Sequence, residues 1–321
     1  MMIAVTGSRA SNILQFLAVL VTGLLLMPGL VSCSAPFADP IQPPADVATD
    51  DTGAEITEDS PVADAASEEE LQVPREPIEL ADATLTPEYS PLAPGTAIDI
   101  SAGYPQPGQY FNFSYCTVAY SFSTEDGRSF AVTASHCGQE GNLVWAGTPD
   151  NTFGYPAEPI GTFIYSSLYS DSAKNLDIGL IELNGNLANV YAPQDMDTHI
   201  AGRLEALPDY VCKMGRMTYQ TCGDLTHQSA SSILRYGEEE ISSTAARAAV
   251  CARNGDSGGP VYAMVEGQDI IVGLVSGTTV HMEEGQTCAD VGEMELSFVS
   301  ILDIHAVLDQ LLDSPMQLAT L

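Results

Sequence analysis

The chain has 321 residues, room for one or two domains, and its 45% hydrophobic share is that of a protein with a packed core. Its formal net charge of -33, from 43 acidic and 10 basic side chains, argues against nucleic acid or an anionic membrane surface as a partner, since both would repel it. No CxxC or His-rich spacing of a zinc site is present, and neither a metal nor a cofactor is expected.

Residues 1–33 have a short polar start containing Arg9, an apolar run from Ile13 to Leu30, and then "LVSC" at Leu30–Cys33. A basic start, an apolar stretch and small residues before a break describe an export signal. The "LVSC" resembles the lipobox of bacterial lipoproteins. That resemblance implies cleavage before Cys33, a diacylglycerol on its sulfur and acylation of the new amine, which together anchor a protein to the outer face of the cell membrane. The alternatives are a leader cleaved by the general signal peptidase, giving a secreted protein, and an uncleaved spanning helix.

From Ser34 to about Pro94 the chain is rich in Pro, Ala, Asp, Glu, Thr and Ser, with "SEEE" at Ser67–Glu70 and Arg75 as its only Lys or Arg. Without apolar periodicity to offset the entropy of ordering, such a segment reads as a disordered, extended tether. The resulting division is signal 1–32, tether 33–95 and body 96–321.

Within the body, short apolar runs such as "FNFSYCTVAYSF", "FAVTAS", "IGLIEL", "DIIVGLVSG" and "ELSFVSIL" alternate with Gly, Pro, Asn, Asp and Ser turns. Many short strands at this spacing predict an all-β barrel or sandwich. Only Ile301–Ser314 shows helical spacing, with Ile304, Val307, Leu308, Leu311 and Leu312 as its apolar face. Setting Cys33 aside leaves six cysteines: Cys116, Cys137, Cys212, Cys222, Cys251 and Cys288. An even set in an exported protein suggests disulfides, in a pairing that spacing alone does not choose.

Three pieces of the body carry chemistry. "TASHC" places His136 after a strand, "NLDIGLIEL" places Asp177 before one, and "GDSGGP" holds Ser257 in a glycine-rich turn. A serine hydroxyl becomes a useful nucleophile only beside a base that a third group orients, and these three residue types supply that set. Each alone has a structural reading as a turn or strand-end residue. The stretch Gly255–Gly259 also fits the G-x-S-x-G elbow of α/β-hydrolases. There the acid and the histidine follow the serine, whereas only His281 and His305 lie beyond Ser257, and no βα alternation precedes it. His199, His227, His281 and His305 have no such company and read as structural.

The order His, Asp, Ser, with "TASHC" and "GDSGGP", resembles the trypsin/chymotrypsin-fold serine peptidases from about Ser114 to Leu312, nearest the bacterial streptogrisin and α-lytic branch. "VCKMGRMTYQTCG" at Val211–Gly223 resembles a loop of that branch. The resemblance implies two antiparallel six-stranded barrels, about 105–200 and 205–300, followed by a helix at about 301–313, with the site between the barrels. It implies bridges Cys116–Cys137, Cys212–Cys222 and Cys251–Cys288, each contributing about 3 kcal/mol by chain entropy. His136 becomes the general base and acid, Asp177 its orienting carboxylate, and Ser257 the nucleophile. The N–H groups of Gly255 and Ser257 become the oxyanion hole.

The position that selects Lys or Arg substrates in trypsins is Cys251 here. With Ala252 and Val275 beside it, an apolar or aromatic residue before the cut is expected. Ser276 and Gly277 are expected to pair with the substrate backbone as an edge strand. Asp256, a buried carboxylate by resemblance, needs a cation, and Lys213 is the expected partner with Arg216 as second choice. The substrates implied are peptides or proteins. The rival classes are an inactive peptidase fold that binds peptides at the cell surface, and an esterase running the same acyl chemistry.

Overall fold

The structure, a computed structural model, describes residues 85–87 and 90–320, except 109–110, 155–156, 171–174, 188, 195, 197, 201–205, 237–238, 266–267 and 284. The expected leader, Cys33 and most of the expected tether lie outside the described residues.

After strand β1 (Leu85–Pro87), the first barrel is built from β2 (Ala97–Ser101), β3 (Ser114–Thr117), β4 (Tyr120–Ser123), β5 (Ser129–Thr133), β6 (Leu143–Ala146), β7 (Gly161–Ser166) and β8 (Gly179–Leu183). Their order across the sheet is β3-β2-β6-β7-β8-β5-β4. Only Val118 and Ala119 separate β3 from β4, and their N–H groups donate to Thr96 O at 2.9 Å and Val132 O at 2.8 Å. One bent run therefore pairs with both ends of the sheet and closes it, giving six paths around the barrel. Such closure removes the unpaired edges that an open sheet would expose.

The second barrel follows β9 (Thr198–Ile200) and comprises β10 (Tyr210–Gly215), β11 (Tyr219–Tyr236), β12 (Glu239–Ala248), β13 (Pro260–Val265), β14 (Gln268–Thr278) and β15 (Leu296–Ser300). The order β13-β10-β11-β12-β15-β14 is closed by pairing of β13 with β14. The helix α1 (Ile301–Leu311) packs on β14 and β15. Ser300 caps it, its Oγ accepting from Asp303 N at 3.2 Å, which satisfies one of the free N–H groups of the first turn. β16 (Leu318–Thr320) ends the described chain.

Several expectations change in detail. β9, expected in barrel one, joins the second sheet as a parallel neighbour of β14, and β1 and β16 add beyond it. Barrel one starts at Ala97 rather than about 105. The packed body also reaches into the stretch read as tether: β1 pairs with β16 and β9, Leu92 is fully buried, and Ser90 Oγ donates to Ser121 O at 2.8 Å. A few backbone bonds and one leucine suffice to dock a segment whose composition is otherwise that of a linker. On the helix, Ile301 is buried while Leu311 is 38% exposed, because the apolar stripe is set one turn earlier by the strand that feeds it.

Candidate active site

His136 sits in a single turn of 3-10 helix, Ser135–Cys137, directly after β5. The strand ends in a buried run, Phe130 to Thr133, that anchors this turn to the barrel. Asp177 precedes β8, the neighbour of β5 in the sheet. Adjacent strands thus deliver base and acid to one end of barrel one. The carboxylate is fully buried. Its Oδ1 accepts the His136 backbone N–H at 2.9 Å and its Oδ2 lies 2.7 Å from His136 Nδ1. Ser276 Oγ donates to the same Oδ2 at 2.6 Å. Ser276 on β14 thus holds the Asp177 carboxylate, a contact that crosses between barrels and that spacing along the chain does not disclose.

Burial pulls the His136 imidazole toward its neutral form, but the field and hydrogen bond of Asp177 outweigh this and its pKa is raised above 6.5. Burial likewise opposes the charge on Asp177. The imidazole's field and the hydrogen bonds from the His136 ring, Ser276 and the His136 backbone win, and its pKa is lowered below 3.8.

Barrel two contributes the loop Cys251–Gly259. Ser257 lies in the same cleft as His136, a space of about 700 Å3 whose lining includes Tyr115, Ala252, Gly255, Val275 and Gly277. The loop is pinned from both sides. Thr117 of barrel one donates its N–H to Ser257 O and its Oγ1 to Gly255 O, each at 2.8 Å. On the barrel-two side Gly258 N reaches Val275 O at 2.7 Å and Val275 N reaches Gly259 O at 2.9 Å.

Gly255 has φ +101°, and a Cβ there would stand 2.6 Å from Met217 Cγ and 2.8 Å from a Tyr115 ring carbon. Only glycine fits such a site. Among the described residues, neither the Gly255 N–H nor the Ser257 N–H donates to a backbone carbonyl.

The geometry behind this loop is a second carboxylate network. Asp256 is fully buried, and its Oδ1 accepts Met217 N at 2.8 Å and Thr218 N at 3.1 Å. Its Oδ2 accepts Arg253 N at 3.1 Å, Thr218 Oγ1 at 2.5 Å and Lys213 Nζ at 3.1 Å. The buried Lys213 also donates to Tyr219 O at 2.9 Å and to Thr218 Oγ1. Burial lowers its pKa, against the opposing pull of Asp256. Arg216, the second choice for Asp256, goes elsewhere: its Nη1 lies 2.6 Å from Asp99 Oδ1 on β2 and 2.9 Å from Ile98 O. It stands in the turn just after β10, and its fork reaches across to barrel one.

Three bridges are formed: Cys116–Cys137, Cys212–Cys222 and Cys251–Cys288. The first ties β3 to the turn carrying His136. Cys116, His136 and Cys137 bring three metal-type atoms together, but sulfurs in a disulfide lack the thiolate a metal needs, which leaves one imidazole. Of the five expected substrate-contact residues, Ala252, Val275, Ser276 and Gly277 line the cleft; Cys251, bridged to Cys288, does not. Buried Met294, which no motif marks, receives the Ala252 N–H on its sulfur at 3.4 Å. His281, read as structural, and the hairpin residues Ser232, Ile233 and Arg247 also line the cleft.

Comparison with known proteins gives a family. The family model described as Trypsin matches residues 123–291. Streptogrisin-C of Streptomyces griseus is 30% identical over 177 residues, which are 54% of this chain and 34% of that protein. The chain thus spans about a third of the length of this curated relative. Among solved structures, protease A of Thermobifida fusca aligns at 21% identity and TM-score 0.43, covering 71% of this chain and 98% of the other. A chymotrypsin of Cellulomonas bogoriensis aligns at 23% identity, with the same coverage and TM-score.

Proposed function

The chain belongs to the trypsin family, and from that premise we propose that it is an exported serine endopeptidase working through His136, Asp177 and Ser257. The observation that carries the reading is the 2.7 Å contact of His136 Nδ1 with buried Asp177, in a cleft that His136 shares with Ser257. With Nδ1 engaged, the ring has Nε2 left to take the Ser257 proton as the hydroxyl attacks a peptide carbonyl. It then returns that proton to the leaving amine, and water repeats the cycle on the acyl-enzyme. The N–H groups of Gly255 and Ser257 receive the oxyanion. Lys213 and Asp256 hold the loop that aims them.

The residue before the cut is apolar or aromatic, entering a pocket walled by Ala252 and Val275, while Ser276 and Gly277 pair with the substrate backbone. The three disulfides support export, and lipidation at Cys33 would place the body on a tether at the outer face of the cell membrane, with domain limits near those read from composition. The test is labelling of the full chain by a fluorophosphonate probe. Labelling that disappears in Ser257→Ala is the expected result. A folded, disulfide-intact chain that does not label would favour the peptide-binding alternative.

A further inference from the structure

We infer that the inner face of the β11–β12 hairpin is a subsite for a substrate carboxylate, with Arg247 as its cation, on the acyl side of the cut and beyond the residue filling the first pocket. The inference rests on the peptidase reading for the direction of the bound chain. It begins with charge. The sequence carries 43 Asp and Glu against 10 Lys and Arg, yet among the described residues no Asp or Glu lines the cleft, whereas Arg247, Arg253, His136 and His281 do. In a body this acidic, a lining without carboxylates favours substrates that bring their own.

Strand register locates the cation. Gly277 pairs with Ser297, Ser297 with Arg247, and Arg247 with His227. Residues directly opposite one another share a face of the sheet, so Arg247 stands two strands, about 10 Å, from the expected substrate-pairing edge. The guanidinium runs toward the hairpin tip, with Nη2 donating to Ser231 O at 2.8 Å. Beside that carbonyl is Ser232, which lines the cleft and is 7% exposed, and opposite Ser232 is Ser243, 2% exposed. Arg247 Nε and both serine hydroxyls are buried with no hydrogen-bond partner among the described residues.

Native structures satisfy such groups, and two of the three, Arg247 Nε and Ser232 Oγ, belong to side chains that line the cleft, which marks a place built to receive an acceptor. A planar carboxylate matches a guanidinium fork. On β12, the strand that carries Arg247, Thr244 N donates to Asn175 O at 3.3 Å, which sets this edge of the hairpin next to the loop leading into Asp177. The competing anion is Glu295, whose Oε2 lies 3.6 Å from Arg247 Nη1 and whose Oε1 lies 3.9 Å from His227 Nδ1. A substrate carboxylate shares the cation with it.

The test measures binding to the full chain carrying Ser257→Ala, by fluorescence anisotropy, using peptides with one aromatic residue before the scissile bond. Each has Glu or Gln at the second, third or fourth position before that bond. At one of these positions the Glu peptide should bind about tenfold tighter than its Gln twin, the scale of one charge-assisted hydrogen bond. Arg247→Gln should erase the difference, Arg247→Lys should keep part of it, and Glu295→Gln should enlarge it. Equal binding of the twins at every position, or a preference that survives Arg247→Gln, overturns the subsite. Fluorophosphonate labelling of the chain with Ser257 intact separates the two readings. Labelling without Glu preference removes the subsite alone, and Glu preference without labelling removes the peptidase reading alone.

Discussion

Two fully buried carboxylates, one at each end of the cleft's machinery, face opposite fates. Asp177 has one cationic partner that can lose its proton, an imidazole 20% exposed to the cleft. Asp256 is sealed with the ammonium of Lys213, itself fully buried, and with three backbone N–H groups from Met217, Thr218 and Arg253. Both are satisfied by hydrogen bonds, so burial is not what separates them. The difference lies in whether the partner can exchange protons with the cleft. A carboxylate beside a titrating, accessible base tunes chemistry, whereas one locked to an inaccessible ammonium and to backbone is a strut.

The largest expected effect bounds the comparison from outside: Ser257→Ala should lower kcat about 10^6-fold without moving stability, since both carboxylate networks stay intact. Asp177→Asn should cost about 10^4 in kcat with the fold preserved, by leaving the imidazole in the wrong tautomer. A loss of stability as large as the loss of rate would erase the distinction drawn above. Lys213→Met should show the reverse pattern, a loss of about 3–5 kcal/mol in denaturant unfolding because it strands a buried charge. Fluorophosphonate labelling should fall only in proportion to the unfolded fraction.

A smaller expected change tests the shared contact between barrels. Ser276→Ala removes one hydrogen bond to the Asp177 carboxylate and should lower kcat/KM about tenfold.

The mildest expectation concerns pH. On the proposed mechanism catalysis needs neutral His136, whose pKa is raised, so kcat/KM should climb with pH through a midpoint above 6.5. The sign for stability is opposite. A raised imidazole contributes stability that is complete below 6.5 and lost as pH rises through its folded value. The lowered Asp177 contributes stability present above 3.8 and lost as pH falls through its folded value. A midpoint below 6.5 in the rate profile would show that Asp177 does not hold the ring as charged partner.

The sequence alone determined the family and the two motif loops, because "TASHC" and "GDSGGP" concentrate His136, Ser257 and its turn glycines in a few contiguous residues. It also named Asp177, which sits at the start of an apolar strand, and six cysteines of the right number to pair. Tertiary structure decided everything that depends on register across strands or between barrels. Lys213 pairs with Asp256 as the resemblance of Val211–Gly223 implied, but that Arg216, three residues on, crosses to Asp99 follows from where its side chain finds a buried carboxylate on the other barrel. Likewise Ser276 meets Asp177 across 99 positions of chain, and Arg247 reaches the cleft because β12 and β15 align it with Ser297. Side-chain type is written locally, but pairing energy is realised only where distant segments meet, and no local pattern of residues encodes that meeting.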